Sequence, residues 1–176
     1  DGNRYEVLKG RLLVTPQAAF GHQRIAFELM VALHEYCERH GIGTVVGPGA
    51  VIFGKNELQP DVQVVPGVSH SRSAKWTELP LPILVAEVLS DSTHRRDVGE
   101  KREAYLKLGI HDYWVVDGDA RQVLAWTRGA DEPVVSTDVV VWAPDQHVPQ
   151  LELTLDRIFG PPAPRDSEYP SSLTVG

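Results

Sequence analysis

The chain has 176 residues, of which 42% are apolar, and it carries a formal net charge of −7 and a single cysteine. This length suits one domain with its own core and is too short for two ordinary domains. The acidic charge argues against a protein that coats nucleic acid without specificity, and one cysteine excludes both an intrachain disulfide and a cysteine-rich zinc site.

The sequence points to a cytoplasmic protein. No run approaches the roughly 18 apolar residues that a membrane helix needs, and the opening residues Asp1-Gly2-Asn3-Arg4 show no signal-peptide pattern. Cys37 falls within a helical pattern, and we expect it to be a small buried or half-buried apolar residue in a reducing compartment.

A hairpin and a long helix are predicted at the start of the chain. Residues 5–9 and 11–15 form two strand-like runs around Gly10, which suits a turn. Across residues 20–40, apolar side chains recur at three- and four-residue spacing, and Gly41 is a good residue to end a helix.

Three strands are predicted next. Residues 44–46 and 50–53 look like one strand interrupted by Gly47-Pro48-Gly49, and residues 54–59 look like a turn-rich link. A strand over residues 61–65 follows. The nearly continuous apolar run over residues 83–89 is typical of a central strand that is covered on both faces.

The second half of the chain adds a helix and further strands. The helix is predicted over residues 94–108, with strands over 112–117 and 122–127, short strand-like pieces over 134–155 and a helical turn over 155–159. Prolines and serines then predict a loose tail over residues 161–176, after one domain that spans residues 1–160. The order of elements predicts an α/β fold with a mixed central sheet flanked by helices.

Glu87 is the most informative single residue, because it lies inside the apolar run of a predicted central strand. A carboxylate buried in a strand costs free energy unless a cation or a hydrogen-bond donor meets it. A buried salt bridge would be enough to explain Glu87 alone.

Asp61 makes a metal site the better interpretation. It follows Pro60 at the start of its own predicted strand, where Asp also serves as an ordinary turn residue. Two carboxylates brought together from neighbouring strands would repel each other, and a divalent cation would relieve that repulsion. Carboxylate, carbonyl and water ligands suit Mg²⁺ or Mn²⁺.

The second predicted helix brings a further charged group. Asp97, Lys101 and Tyr105 are spaced four apart and share one face, which either carries an exposed ion pair or delivers an ammonium to the Asp61 and Glu87 pair. The basic cluster around them either is a solvated helix end or meets phosphates. Its arginines are Arg95, Arg96 and Arg102.

These pieces together resemble a known family. The residues that carry the resemblance are Pro60-Asp61, Glu87-Val88-Leu89-Ser90, Asp97, Lys101, Tyr105, the stretch 109–117, the hairpin stretch 5–12 and Gly21-His22. Over about residues 4 to 160, they resemble the Uma-type (Uma-two) endonuclease family of the PD-(D/E)xK superfamily, which has the restriction-endonuclease-like fold.

The resemblance implies a role for each matching residue. Asp61 and Glu87 would bind Mg²⁺ or Mn²⁺, and the backbone carbonyl of Val88 would be a further ligand. The usual motif has a lysine two residues after the glutamate, where this chain has Leu89, so Lys101 from the following helix becomes the catalytic lysine. Gln63, His22, Asp97 and Tyr105 are accessory candidates, whereas Glu6 is expected to be structural.

Two functions follow from this reading. The first is a metal-dependent endonuclease that hydrolyses DNA phosphodiester bonds with Asp61, Glu87 and Lys101. The second is a relative that has lost catalysis and acts as a nucleic-acid-binding or assembly module, which Leu89 and the acidic net charge would favour. A homodimer that uses Tyr and Trp side chains of the C-terminal strands is also plausible.

Overall fold

The structure is a computed structural model that describes residues 2–67, 73–90 and 93–161. Its strands are β1 (Arg4–Leu8), β2 (Arg11–Thr15), β3 (Gly43–Val46), β4 (Val51–Phe53), β5 (Asn56–Leu58), β6 (Val62–Pro66), β7 (Leu84–Val88), β8 (Asp112–Asp117), β9 (Gln122–Thr127), β10 (Val134–Ser136), β11 (Val139–Trp142) and β12 (Leu151–Thr154). Its α-helices are α1 (Phe20–His40), α2 (Arg102–Leu108) and α3 (Leu155–Phe159). The predicted tail covers residues 161–176, of which 162–176 lie outside the described ranges.

The central sheet has six strands in the order β10-β9-β8-β7-β6-β3. The pair β7 and β8 is parallel, and the other neighbouring pairs are antiparallel. This confirms the prediction of a mixed sheet flanked by helices. Strand β7 is buried along its whole length, as its apolar run predicted.

Different layers cover the two faces of the central sheet. Helix α1 packs on one face, where Leu29 and Leu33 join Ala86 and Trp114 in one apolar cluster. A four-stranded sheet in the order β2-β1-β5-β4 and helix α2 cover the other face. Glu87 belongs to this second face, because side chains alternate along β7 and its neighbour Ala86 faces α1.

Strands β3 and β4 belong to different sheets, so they are not one interrupted strand. Strand β3 lies at the edge of the central sheet, whereas β4 pairs with β5 in the smaller sheet. The chain crosses between the sheets at Gly49, where a Cβ atom would lie 2.1 Å from a ring carbon of Trp76. Glycine is therefore required for the backbone to pass beneath the Trp76 ring.

Residues 54–59 contain a strand where the sequence indicated only a link. Strand β5 pairs with β1 through Val7 and Glu57 and with β4 along its whole length. Three-residue strands carry too little alternation to be recognised from sequence, and long-range pairing stabilises this one.

The second predicted helix is not uniform. Residues Arg96–Lys101 form a π-helical segment, and α2 continues from Arg102 to Leu108 before Gly109 ends it in a left-handed conformation. The 3.6-residue spacing of apolar positions predicts a helix but does not reveal one wider turn. Asp97 and Lys101 are both buried in this segment.

The prediction that Tyr and Trp side chains of the C-terminal strands form a dimer contact is wrong. Trp126, Trp142 and Tyr113 are buried in the protein's own core and cannot form an external contact. The exposed apolar side chains of the C-terminal strands are instead Val134, Val135 and Val141.

None of the helices in the described ranges is long and apolar enough to cross a membrane.

Cys37 should not react with thiol reagents while the protein is folded. Its side chain is fully buried in α1, and burial raises the pKa of the thiol to about 12. Because the thiolate is the nucleophile, both effects suppress reaction. Colour development with an aromatic disulfide reagent should be absent at neutral pH and complete after denaturant is added. Rapid labelling of native protein would contradict this burial.

Candidate active site

Asp61 stands beside Glu87 because of the register between β6 and β7. Val62 pairs with Ala86 in this antiparallel ladder, so the preceding Asp61 comes next to Glu87. Oδ2 of Asp61 accepts a hydrogen bond of 2.8 Å from the backbone N–H of Val88. The two carboxylates, which are 26 positions apart in the sequence, therefore meet at one end of the central sheet.

Two side chains from other elements contact Asp61. Arg4 Nη1 lies 2.7 Å from Oδ1, and His22 Nε2, from the first turn of α1, lies 3.2 Å from Oδ2. Burial alone would raise the pKa of Asp61, but the His22 hydrogen bond and the Arg4 charge hold that pKa below its usual value. Asp61 is therefore held in its ionised form.

Lys101 reaches the same cluster from the π-helical segment. Its Nζ lies 3.0 Å from Oε1 of Glu87 and 3.0 Å from Oε1 of Glu6, with Asp97 Oδ1 at 3.6 Å. The Lys101 side chain is only 1% exposed. Burial opposes its charge, but the three acids outweigh burial and raise the pKa of Lys101, so the ammonium form is retained.

Glu6 fixes the position of Lys101. It projects from β1, and its Oε1 also accepts a hydrogen bond of 2.8 Å from the backbone N–H of Gln59, just after β5. The strand that the sequence did not predict therefore helps to orient this carboxylate. The structure defines the structural role that was expected for Glu6: its carboxylate connects the smaller sheet, through Gln59, with Lys101.

Two buried tyrosines cover the cluster on the side of α2 and β8. The hydroxyl of Tyr105, in α2, donates to Oε1 of Glu87 at 3.3 Å. The hydroxyl of Tyr113, in β8, donates to the backbone carbonyl of Asp97 at 2.8 Å. Both tyrosines are fully buried, so they exclude water from that side of Glu87 and Asp97.

The acids outnumber the cations in this cluster. Four buried carboxyl groups, those of Glu6, Asp61, Glu87 and Asp97, are accompanied by the cations of Arg4 and Lys101, which leaves an excess of two negative charges when all four are ionised. Burial, reinforced by the neighbouring acids and opposed by Lys101, raises the pKa of both Glu87 and Asp97. Oε2 of Glu6 and Oδ1 of Asp97 are buried without a hydrogen-bond donor.

The residues present fit a hard divalent cation. Within the described ranges, no group of three or more His, Cys, Asp or Glu side chains has the geometry of a metal site. Mg²⁺, however, is usually bound through only one or two carboxylates and keeps several waters. A double positive charge would match the excess of the cluster when all four acids are ionised, and carboxylate oxygens are ligands that this ion prefers.

An open cavity of about 670 Å³ lies beside Asp61. It is bounded by the start of α1, the end of β7 and the turn after β8, and its lining includes His22, Val88 and His94. Nδ1 of His22 is buried without a hydrogen-bond partner. The cavity gives solvent and small ligands a route to the edge of the acidic cluster.

The three candidate arginines have different surroundings. Arg95 is exposed, and Arg96 donates to Thr15 Oγ1 at 3.1 Å, next to the site because Thr15 pairs with Arg4 across the hairpin. Arg102 instead packs its guanidinium over the ring of Trp126 at 5.3 Å from the ring centre. Arg95 and Arg96 are therefore better placed than Arg102 to meet a ligand at the site.

Gln63 and Leu89 lie near the cluster in sequence but contact other groups. The side-chain amide of Gln63 donates to the Gly49 carbonyl at 3.1 Å. Leu89 donates its backbone N–H to Val116 and packs against the apolar cluster of the second face. The position where the usual motif has lysine is therefore occupied by a packing residue, and the ammonium next to Glu87 is that of Lys101, at 3.0 Å.

Arg4 is the site residue that the sequence analysis missed. The available signal was alternation in β1, where Arg4, Glu6 and Leu8 face the same way and Leu8 must be buried. Charged residues on the buried face of a hairpin strand indicate a polar site. Their partner, Asp61, is 57 positions away, and short-range patterns do not reveal such a pairing.

The fold and the acidic cluster together define a restriction-endonuclease-like α/β protein. The chain belongs to the Uma2 family, whose model matches residues 1–156 and is described as "Putative restriction endonuclease". The family and the fold support a nuclease.

A solved structure has the same fold. It is a protein from Anabaena variabilis that is described as "a putative nuclease belonging to DUF820". The two chains superpose with a TM-score of 0.74 at 19% sequence identity, over 88% of this chain and 89% of the other. No curated protein matches the chain.

Proposed function

We propose that the protein is a metal-dependent endonuclease that hydrolyses DNA phosphodiester bonds at the Asp61 and Glu87 site. The observation that carries the proposal is the position of Lys101, whose ammonium lies 3.0 Å from Glu87 although it comes from a different element than the usual motif lysine. A carboxylate pair with a buried ammonium beside it provides a place for a metal ion and a positive charge for the transition state, and metal-dependent phosphodiester hydrolysis can use both.

Asp61 and Glu87 would hold Mg²⁺ or Mn²⁺, with the backbone carbonyl of Val88 as a further ligand. When bound, such an ion lowers the pKa of a coordinated water and polarises a phosphate oxygen. Lys101 stabilises negative charge next to Glu87, and Glu6 keeps its ammonium in place. Tyr105 donates to the same Glu87 oxygen and limits its rotation.

DNA would approach along the cavity beside Asp61. Its volume of about 670 Å³ is sufficient for a sugar-phosphate segment, and its lining combines His94, from the basic end of the second helical segment, with Asp117 and Asp119. Arg95 and Arg96 lie next to this end and would contact phosphates on either side of the cleaved bond. The chain has a net charge of −7, and only two arginines are assigned to phosphates, so DNA binding should weaken by about one power of the salt concentration for each of these contacts as salt is raised.

Cleavage of circular and linear DNA in Mg²⁺ or Mn²⁺ tests this proposal. The parent protein should cut, and Asp61→Asn should bind Mn²⁺ at least about a hundredfold more weakly and not cut. Asp131→Asn, which changes an exposed acid in the same way, should cut as the parent does. Cutting at the parent's rate by Asp61→Asn would contradict the assignment of Asp61 as a metal ligand. A parent that binds no Mn²⁺ would favour a nucleic-acid-binding or assembly module.

A further inference from the structure

Arg4 occupies one oxygen of the Asp61 carboxylate. Its Nη1 lies 2.7 Å from Oδ1 of Asp61 and donates to the backbone carbonyl of Gln59 at 2.9 Å. The other oxygen, Oδ2, receives the N–H of Val88 and the ring nitrogen of His22. Both oxygens of the proposed metal ligand are therefore already paired within the protein.

The charge of Arg4 interacts with the whole acidic cluster. Partial burial opposes this charge, but Asp61, Glu87 and Glu6, in that order, outweigh burial and raise the pKa of the guanidinium. Arg4 thus supplies part of the positive charge that the cluster needs when no divalent ion is bound.

Arg4 differs from Lys101 in how firmly it is held. The Lys101 side chain is 1% exposed and contacts three acids, whereas 18% of the Arg4 side chain is exposed and its ion pair is with Asp61. Arg4 is the first residue of β1, at the end of the hairpin. Of the two cations, Arg4 is the one that can leave the cluster without disturbing the core.

We propose that Arg4 is a resident counter-ion, which holds Asp61 in the metal-free protein and leaves Oδ1 when a divalent ion binds. The proposal rests on the metal site of the proposed function. A divalent ion that approaches Oδ1 at about 2.1 Å leaves no room for a guanidinium at hydrogen-bond distance from the same oxygen, and the two positive charges repel. Arg4 therefore competes with the metal and lowers its apparent affinity.

This competition also explains how a buried carboxylate can be available to a metal ion without destabilising the metal-free protein. An ionised carboxylate that is buried without a partner would destabilise the protein. Arg4 removes this destabilisation in the metal-free state, as His22 does in part. Removing Arg4 should consequently lower the stability of the metal-free protein and raise its affinity for the metal ion. A purely structural ion pair would not produce this combination.

Calorimetric titration with Mn²⁺ tests the proposal on the parent, Arg4→Gln and Arg11→Gln. If Arg4 holds Oδ1 in about nine molecules of ten, Arg4→Gln should bind Mn²⁺ on the order of tenfold more tightly. Arg11→Gln removes the same charge from an exposed guanidinium of the same hairpin, which is paired with Glu100, and its affinity should stay within about twofold of the parent. Equal strengthening by both variants would show a general charge effect and overturn the proposal.

Thermal unfolding provides a second readout, which does not depend on activity. Arg4→Gln should melt below the parent in chelator, and saturating Mn²⁺ should raise its melting temperature more than it raises that of the parent. If Arg4→Gln does not fold, Arg4→Lys, which keeps the charge on a side chain without the fork geometry, should show the same changes in smaller measure. Unchanged or weaker Mn²⁺ affinity in the Arg4 variant overturns the proposal.

The outcomes separate this inference from the proposed function. If Mn²⁺ binds through Asp61 and binds more tightly to Arg4→Gln while no DNA is cut, the nuclease is overturned and the counter-ion stands. If the parent cuts DNA and Arg4→Gln binds Mn²⁺ no more tightly, the counter-ion alone is overturned. If neither protein binds Mn²⁺, both are overturned.

Discussion

Replacing Lys101 with methionine should destabilise the protein by about 3–5 kcal/mol, since it leaves buried acids without their shared cation. Lys101 is the common partner of Glu6, Glu87 and Asp97, and none of these three can reach bulk water, because each residue is 1% exposed. Domains of this size are stable by only about 5–15 kcal/mol. The change should therefore move the denaturation midpoint to much lower guanidinium concentration.

Lys107→Met is the matched control for this measurement. Lys107 lies six residues further along the same helical stretch and is exposed, so its replacement should change stability by less than about 0.5 kcal/mol. Failure of Lys101→Met to fold while Lys107→Met folds would meet the prediction in its strongest form. Equal midpoints for the two variants would show that the acids of the cluster do not depend on Lys101.

Replacing Glu87 with glutamine should have the opposite effect on stability and abolish function. Burial raises the pKa of Glu87 well above its usual value, Lys101 counteracts this in part, and Asp97, Asp61 and Glu6 add to it. A neutral amide of the same shape removes this unfavourable charge, while Lys101 keeps two acidic partners. The melting temperature without metal should be equal to or above that of the parent.

The same variant should lose metal binding and cleavage. Glu87 is a proposed ligand, and changes to groups that merely support ligands already weaken binding by about 10–100-fold. We expect at least about a hundredfold weaker Mn²⁺ binding and no detectable DNA cleavage, with exposed Glu132→Gln behaving as the parent. A clear fall in melting temperature, or preserved cleavage, would show that Glu87 is a structural acid and not a ligand held at a cost in stability.

The sequence predicted most of the elements because their patterns are local. Helix α1 and strands β8 and β9 have the predicted bounds, since long apolar periodicity and the glycines at their ends determine them. Glu87 could be identified as a buried carboxylate for the same reason, as an acid within an apolar run. The proximity of Asp61 followed from the assumption that the two strands are neighbours, which the register of β6 and β7 confirms.

Apart from Lys101, the partners of the acids could not be predicted, because distant segments supply them. Arg4 and Glu6 come from the hairpin and His22 from α1, and they meet Asp61 and Lys101 only in the folded chain. Strand β5 was missed for a similar reason, since its pairing with β1 and β4, and not its own composition, makes it a strand. Sequence periodicity indicates which face of a helix or strand is buried, but not which distant side chain packs against that face.

The wide turn over Arg96–Lys101 gives this segment one residue more than a regular helix would need. Each residue of a regular α-helix rotates the next side chain by about 100°. Because a π-helical turn takes up one additional residue, deleting Gly99 would convert the segment toward a regular helix and leave Lys101 facing Glu87. When natural variants are compared, a lysine that is displaced by one residue here is therefore compatible with an intact acidic cluster.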